Sequence, residues 1–406
     1  MPQLGNMAAP QVGSTIPNTM SAAQNATNSA NAAQTAPNPT VPFGRAAKRH
    51  VEQGTTQVLN PWSTSNNAQL QFLAPSYGYL CALYLTVAAS GGTGIVATAG
   101  PDSPWNVLNN LMLADVNGTP IFNLDGYAAY LARLYGGYRF GRPDVSTYGF
   151  TQVPAVANVP PGNVAGNFLV IFEIFQEFSR RGGLGALPNM DASAAYKLNA
   201  VFNTMTAGTA SGKVYGVVPT GTPVLTNTLE LLARARPNPV DAFGNVQETE
   251  PPVPGTVSYW TSQTFPIVNG TNNIIMTRVG NIVRNHILVF RDASANTLRS
   301  GAEGSVVPTT IEFDWDAGQR YIINVATQRQ ITYEGTLIDA PAGVVPFLNT
   351  MDPDAFAGSE SGEEWIPTVG ATKLQLRFNS TAAGTLQVIT NDIVPGGDIY
   401  SAIDLL

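Results

Sequence analysis

The stretch Lys197 to Thr209, KLNAVFNTMTAGT, aligns without a gap on Lys373 to Thr385, KLQLRFNSTAAGT, 176 positions further along the chain. Seven of the thirteen aligned residues are identical. Each copy has the pattern of a strand, a turn and the beginning of a second strand. The spacing is about the size of one domain and far exceeds the roughly 20 to 50 residues of solenoid and propeller repeats. The repeat therefore predicts two tandem β-rich domains, with chance similarity in a chain rich in Ala, Gly and Thr as the alternative.

The composition favours a β-rich protein that forms part of a larger assembly. Only 12% of the residues are charged, about half of the usual share. The 39 glycines and 30 prolines of the 406 residues indicate many turns. A monomer with so few charges would have a poorly soluble surface, so we expect neighbouring subunits to cover much of it. A secreted β protein with a surface rich in Ser, Thr and Asn is the alternative.

Charge and cysteine content exclude several classes of protein. The net charge of −7 argues against specific nucleic-acid recognition by the body of the protein. The single cysteine, Cys81, excludes an intrachain disulfide and permits folding in a reducing cytoplasm. An uncharged stretch from Tyr77 to Pro101 is interrupted by glycines at Gly91 to Gly94. Two strands joined by a glycine turn fit this stretch better than a membrane span.

The N-terminal region has two unlike parts. Residues 1–44 contain no charged side chain and are rich in Ala, Asn, Gln, Thr and Ser. Such a segment buries too little apolar area to order by itself, so we predict a flexible arm. The densest basic cluster of the chain follows, consisting of Arg45, Lys48, Arg49 and His50. We predict that it faces anionic membrane headgroups or the genome inside an assembly, and the alternative is a solvated linker or helix start.

The rest of the chain reads as short strands with turn signals. Asn117-Gly118 between apolar runs indicates a hairpin, and the spacing of apolar residues predicts short helices at 127–135 and 321–331. About eight strands per half, without a βαβ rhythm, favour jelly rolls. The predicted fold class is therefore all-β, with two tandem jelly-roll β-sandwiches, short helices and a flexible N-terminal arm.

The same patterns predict where the domains begin and end. The arm with its basic cluster occupies residues 1–50, and the first jelly roll occupies residues 51–238. A proline-rich linker with acidic residues occupies residues 239–254. The second jelly roll occupies residues 255–406.

No catalytic constellation is visible in the sequence. Of the two histidines, His50 lies in the basic cluster and His286 lies on an alternating strand, where a buried structural histidine is the better interpretation. Cys81 sits among apolar strand residues and reads as an inert core thiol. We therefore predict no catalytic residue, no cofactor and no metal ligand set. Calcium binding by the acidic loop 352–364 stays open, as does a carboxylate pair that meets only in three dimensions.

Several segments resemble the double jelly-roll major capsid proteins of icosahedral, tailless viruses, especially tectivirus-like bacteriophages with an internal membrane. The resemblance covers the chain from about Asn60 to its end. It rests on the order of diffuse motifs and on the internal repeat, and none of the motifs is a catalytic signature. The motifs begin at Ala74 (APSYGYLCALYLTV), Pro104 (PWNVLNNLMLAD), Leu187 (LPNMDASAAYKLN), Trp365 (WIPTVGATKLQL) and Asn391 (NDIVP).

The resemblance implies a structural role in a virion. It implies a homotrimer that forms a pseudo-hexagonal tile of an icosahedral capsid and contacts neighbouring capsomers and a vertex (penton) protein. It also implies synthesis in the host cytoplasm and N-terminal arms on the inner side of the shell, near membrane lipid. The basic cluster has the sign that lipid phosphates require, whereas the neutral arm is equally suited to tying trimers together.

Two other classes of function stay open at this point. A glycan-binding or adhesive β-sandwich of the spike or lectin type would need exposed aromatic residues beside loop carboxylates, and Trp365 is the candidate. A β-sandwich glycoside hydrolase would need two carboxylates in one cleft.

Overall fold

The computed structural model describes residues 39–92, 98–99, 102–136, 167–178, 182–208, 212–276, 278–293, 299–315, 319–349, 365–371 and 373–399. None of the helices in these ranges is long and apolar enough to cross a membrane. The acidic loop 352–364, the arm before residue 39 and the second half of the glycine turn at 91–94 lie outside the described residues.

The first half of the chain forms two facing sheets. One has the strand order β1-β11-β3-β7, with β8 beside β3, and the other contains β2-β9-β5-β6. A short pair is formed by β10 and β4. The strands are β1 (Arg49–Leu59), β2 (Ala68–Leu73), β3 (Tyr79–Ser90), β4 (Thr98–Ala99), β5 (Leu108–Ala114), β6 (Pro120–Leu124), β7 (Phe168–Phe175), β8 (Leu187–Pro188), β9 (Lys197–Phe202), β10 (Tyr215–Val217) and β11 (Val224–Arg234). The helices are α1 (Phe43–Ala46) and α2 (Gly126–Tyr135), with 3-10 helices at Trp105–Val107 and Ala192–Ala194.

The second half also forms two sheets, with the orders β12-β20-β14-β17 and β13-β19-β15-β16. The short strand β18 pairs with β14. The strands are β12 (Val257–Ile267), β13 (Gly270–Met276), β14 (Ile282–Asp292), β15 (Thr310–Trp315), β16 (Gln319–Asn324), β17 (Val344–Leu348), β18 (Ile366–Pro367), β19 (Leu374–Ser380) and β20 (Gly384–Val394). The helix is α3 (Val325–Thr336), and a 3-10 helix covers Arg299–Ala302.

Both halves have the same topology. In the described residues, with the short strands β4, β8, β10 and β18 set aside, each half has eight strands, whose sheets have the orders 1-8-3-6 and 2-7-4-5. A helix lies between the fifth and sixth strands in each half. The two repeat copies fall on the seventh strand of each half, β9 and β19. The predicted pair of jelly rolls is thereby confirmed, and the repeat marks equivalent strands.

One predicted helix boundary is wrong. Tyr321 and Ile323 belong to β16, where they lie opposite Phe313 and Ile311, and the helix begins only at Val325. The apolar spacing at 321–331 mixes the end of a strand with the first turns of a helix. The switch occurs at Asn324, whose side chain accepts a hydrogen bond from the backbone N–H of Ala326 and caps the helix.

The two jelly rolls share one sheet and part of one core. Strand β12 runs parallel to β6, so that Phe122 lies opposite Trp260 and Asn123 opposite Thr261. This pairing joins the two halves into a nine-stranded sheet. The larger apolar cluster contains the core of the first jelly roll and also Trp260 and Ile389 from the second. The second jelly roll has, in addition, a separate core of its own.

The start of α2 gives a sharp test of this packing. A Cβ on Gly126 would lie 1.9 Å from the backbone oxygen of Trp105, and that oxygen is part of the main chain. We expect Gly126→Ala to lower the free energy of unfolding by about 2 kcal/mol or more because of this clash. In a helix without such a clash, replacing glycine with alanine normally raises the stability. The matched control is Gly212→Ala, because nothing lies closer than 3.9 Å to a Cβ there. Equal thermal midpoints for the two variants would contradict the described packing.

Candidate functional site

The contact between the two jelly rolls, called the joint below, contains a buried charge cluster. Asp102 comes from the first half, and its side chain is 1% exposed. Arg299 Nε donates a hydrogen bond of 2.7 Å to Asp102 Oδ1, and Arg291 Nη1 lies 2.7 Å from Asp102 Oδ2. Both guanidinium groups lie over the ring of Tyr127: that of Arg291 is 5.6 Å from the ring centroid and that of Arg299 is 4.2 Å from it. Two cations of the second half therefore enclose one carboxylate of the first.

A second buried cation lies elsewhere in the joint. Arg284 of β14 is fully buried. Its guanidinium lies 5.1 Å from the ring centroid of Phe178, in the first half, and 5.8 Å from that of Trp365. Arg284 Nη1 also donates to Asn391 Oδ1 at 2.6 Å. Trp365 is therefore part of the joint and is buried. It is not exposed for stacking on a sugar, which removes the residue on which the glycan-binding alternative depended.

Helix α2 fills the joint with aromatic side chains. Its Tyr130 stacks on Trp105, with 4.4 Å between the ring centroids. Burial raises the pKa of Tyr127. The helix is capped by Asp125, the residue before it, whose side chain accepts hydrogen bonds from the backbone N–H of Ala128 and from Gln387 of β20. Arg133 near its end forms an ion pair with buried Glu173 at 3.3 Å. Almost every residue of this helix is buried.

All four predicted basic residues are exposed: Arg45 in α1, Lys48 just before β1, and Arg49 and His50 at the start of β1. The structure places acidic groups against two of them. Arg49 Nη2 donates to Glu177 Oε1 at 3.2 Å. His50 Nε2 lies 3.1 Å from Glu52 Oε1, and the His50 ring is tilted against that of Tyr77 at 4.8 Å. The cluster is thus partly neutralised by two carboxylates; Glu52 is adjacent in the sequence, whereas Glu177 is 128 positions away and is not revealed by the local sequence.

Glu177 is the centre of a buried network that the sequence does not predict. Arg234 donates to Glu177 Oε1 through Nη2 at 2.5 Å and through Nε at 3.1 Å. The same guanidinium donates to the backbone oxygens of Gly44 and Ala47, so it holds α1 against the jelly roll. Burial favours the neutral acid, but the hydrogen bonds and charge of Arg234, with the charge of Arg49, outweigh it and hold the pKa of Glu177 below its usual range.

The remaining candidates for chemistry are buried and inert. His286 points into the core of the second jelly roll, 5.7 Å from the ring of Phe313, and burial lowers its pKa to about 4. Cys81 is also buried, and burial raises the pKa of its thiol. In the described part of the chain, no three His, Cys, Asp or Glu side chains lie together as a metal site.

The charge cluster of the joint predicts an unequal response to two similar substitutions. Asp102→Asn removes the carboxylate that Arg291 and Arg299 share, so we expect a loss of about 3–5 kcal/mol in the free energy of unfolding. Glu303→Gln breaks the ion pair on the surface in which Arg329 Nη2 lies 2.6 Å from Glu303 Oε1. It should lower the free energy of unfolding by at most about 1 kcal/mol. Urea unfolding of both variants measures the difference. Similar losses would mean that Asp102 does not hold the joint.

Buried His286 predicts a loss of stability in acid. Because its pKa in the folded chain is about 4, against about 6.5 when unfolded, the unfolded chain binds the extra proton between these values. Stability is therefore lost as the pH falls from about 6.5 towards 4, by up to about 3 kcal/mol from this residue. His286→Leu should lose less stability between pH 7 and pH 4.5 in urea titrations. Parallel pH curves for the variant and the parent chain would contradict this.

Comparison of sequences finds no match for the chain, whereas comparison of folds finds similar structures. No family model matches it, and no curated protein matches it in sequence. The crystal structure of the STIV MCP, from Sulfolobus Turreted Icosahedral Virus, is similar with a TM-score of 0.56 and 11% identity, over 88% of this chain and 100% of that chain.

Two further solved structures are similar over most of their length. The PBCV-1 virus capsid model has a TM-score of 0.55 and 12% identity, over 86% of this chain and 93% of that one. The major capsid protein P2 from bacteriophage PM2 has a TM-score of 0.50 and 10% identity, over 86% and 99%. At these identities the likeness concerns the fold. The chain has the double jelly-roll fold found in these viral major capsid proteins.

Proposed function

We propose that the chain is a major capsid protein, whose homotrimers form pseudo-hexagonal tiles of an icosahedral virion shell. The observation that carries the proposal is the double jelly-roll fold, with identical strand order in both halves. Solved structures with this fold are capsid proteins of an archaeal virus, a bacteriophage and PBCV-1. This function needs no catalytic residue and no turnover.

The geometry suits this role because each chain supplies two similar modules in a fixed relation. Three copies around a three-fold axis then present six similar modules, which approximates six-fold symmetry with one gene. The joint holds the modules together through main-chain pairing and the Asp102 charge cluster. The low charge content of 12% agrees with a surface that neighbouring subunits cover.

The finer assignments are part of the same proposal. The domains span residues 51–238 and 255–406, with the arm at 1–50 and the proline-rich segment at 239–254 between the jelly rolls. Partners are neighbouring capsomers, a vertex protein and, on the inner side, membrane lipid. Arg45 and Lys48 are the exposed members of the basic cluster that best suit lipid phosphates. The virion would be that of a phage with an internal membrane, and the chain would be made in the host cytoplasm.

The oligomeric state tests the proposal directly. Light scattering of the purified chain at micromolar concentration should give a mass of about 128 kDa, three times the 42.8 kDa of one chain. Electron micrographs of the same material should contain three-fold tiles or shells. A monomeric mass that persists as the protein concentration is raised would contradict the proposal.

A further inference from the structure

We propose that the hairpin at residues 239–247, called the linker hairpin below, inserts its tip into the interface of a lipid bilayer. The inserted side chain is Phe243, and exposed cations at the root of the hairpin contact lipid phosphates. The inference rests on the proposed function, which places the start of the chain on the inner side of the shell, near membrane lipid. It adds an apolar contact that lies outside the basic cluster and names the residue that makes it.

The turn that carries Phe243 is ordered by its own hydrogen bonds. Asp241 Oδ1 accepts from the backbone N–H groups of Phe243 and Asn245, at 2.8 and 2.9 Å. The N–H of Gly244 donates to the backbone oxygen of Asp241 at 3.1 Å. Gly244 has φ of +83°, which glycine adopts without strain. Because the turn is already ordered, presenting Phe243 to a partner costs little further conformational entropy.

The linker hairpin exposes three large apolar side chains. Phe243 is 88% exposed, the highest fraction for a large apolar side chain in the described ranges. Val240 and Val246 lie opposite each other in an antiparallel bridge and are 52% and 51% exposed. Residues directly opposite in such a bridge place their side chains on one face. Single exposed apolar residues are common on proteins, but three on one protrusion indicate a contact site.

The root of the linker hairpin lies beside the start of the chain. The N–H of Val41 donates to the backbone oxygen of Val246 at 2.8 Å, and the N–H of Glu248 donates to that of Val41 at 3.0 Å. The N–H of Ala235 donates to the backbone oxygen of Lys48 at 2.7 Å. These bonds bring basic residues from both ends of the first jelly roll together. The exposed cations at the root are Arg45, Lys48 and Arg236.

The carboxylates at the root leave a small excess of positive charge. Glu248 Oε2 accepts a hydrogen bond from the backbone N–H of Phe43 at 3.0 Å, and Glu250 is exposed two residues further on. Asp241 uses both of its side-chain oxygens inside the turn. Outside the turn and the ion pairs described above, three cations therefore face two carboxylates. Attraction to anionic lipid is thus modest, and the apolar tip supplies most of the binding.

A protrusion of this kind suits a lipid surface. The bilayer interface opens around an inserted side chain, whereas a protein partner needs a pocket of matching shape. Aromatic rings are favoured at the boundary between hydrocarbon and headgroups, and cations beside them meet the phosphates. Phe243 and Lys48 supply these two contacts from neighbouring segments of one end of the chain.

A fluorophore at the tip tests the insertion directly. Phe243→Cys is labelled with the polarity-sensitive dye NBD in the full-length chain, where the native Cys81 is buried. On addition of phosphatidylcholine vesicles that contain phosphatidylglycerol, the emission should rise and shift to the blue. The matched control is Val268→Cys, which is 56% exposed. It lies beyond the 11-residue strand β12, about 35 Å from the linker hairpin, and its emission should not change. A tip that resists labelling, or equal responses at both positions, would overturn the inference.

Flotation with the same vesicles gives a second readout. Phe243→Ser should lower the affinity for vesicles by about tenfold or more, because several tips act together in one oligomer. Val268→Ser should bind as the parent chain does, and both variants should keep its thermal midpoint. Lys48→Ser should lower the affinity for anionic vesicles by about fivefold, and for pure phosphatidylcholine by less than about twofold. Vesicle binding that survives Phe243→Ser would contradict the inference.

The oligomeric state separates this inference from the proposed function. Light scattering should give the same mass for Phe243→Ser as for the parent chain. A lower mass for the variant would mean that Phe243 contacts a neighbouring copy, which overturns insertion into lipid and leaves the proposed function intact. A trimer that binds no vesicle would have the same meaning. A parent chain that stays monomeric would overturn the proposed function, on which the inference rests.

Discussion

The joint between the two jelly rolls is the contact on which the rest of the molecule depends. Its backbone pairing, between β6 and β12, makes two sandwiches share one sheet. Its charge cluster places Asp102 between two arginines at 2.7 Å, away from water. Burying charges is costly unless they are paired, so this cluster is stable only when both halves are present and correctly placed. The joint therefore makes the relative position of the modules a property of the fold.

Much of the fold could be predicted from the sequence because its signals are local. Alternation along β3 and β15 and the Asn117-Gly118 turn each depend on residues close together in the chain. The repeat at Lys197 and Lys373 is more informative than these local signals, because equivalent strands of two similar modules pair with equivalent neighbours. The end of β16 was mispredicted because strand and helix spacing overlap there, and a capping side chain decides between them.

The joint could not be predicted in the same way, because its members are far apart in sequence. Asp102 and Arg299 are separated by 197 positions, and Asp125 and Gln387 by 262. In a sequence with 12% charged residues, such pairs are visible only as isolated charged residues among apolar ones. The sequence does not show which of these residues pair with each other. Trp365 shows the same limit, since its burial depends on Arg284 and Phe178 rather than on its neighbours in the chain.

The nine-stranded sheet also has a mechanical consequence. Force applied to one jelly roll passes into the other through main-chain hydrogen bonds and not only through side chains. In an assembly of such subunits, each subunit is stiff and the interfaces between subunits are more compliant. In the proposed capsid, a rise in internal pressure should open the contacts between subunits before it separates the two jelly rolls of one chain.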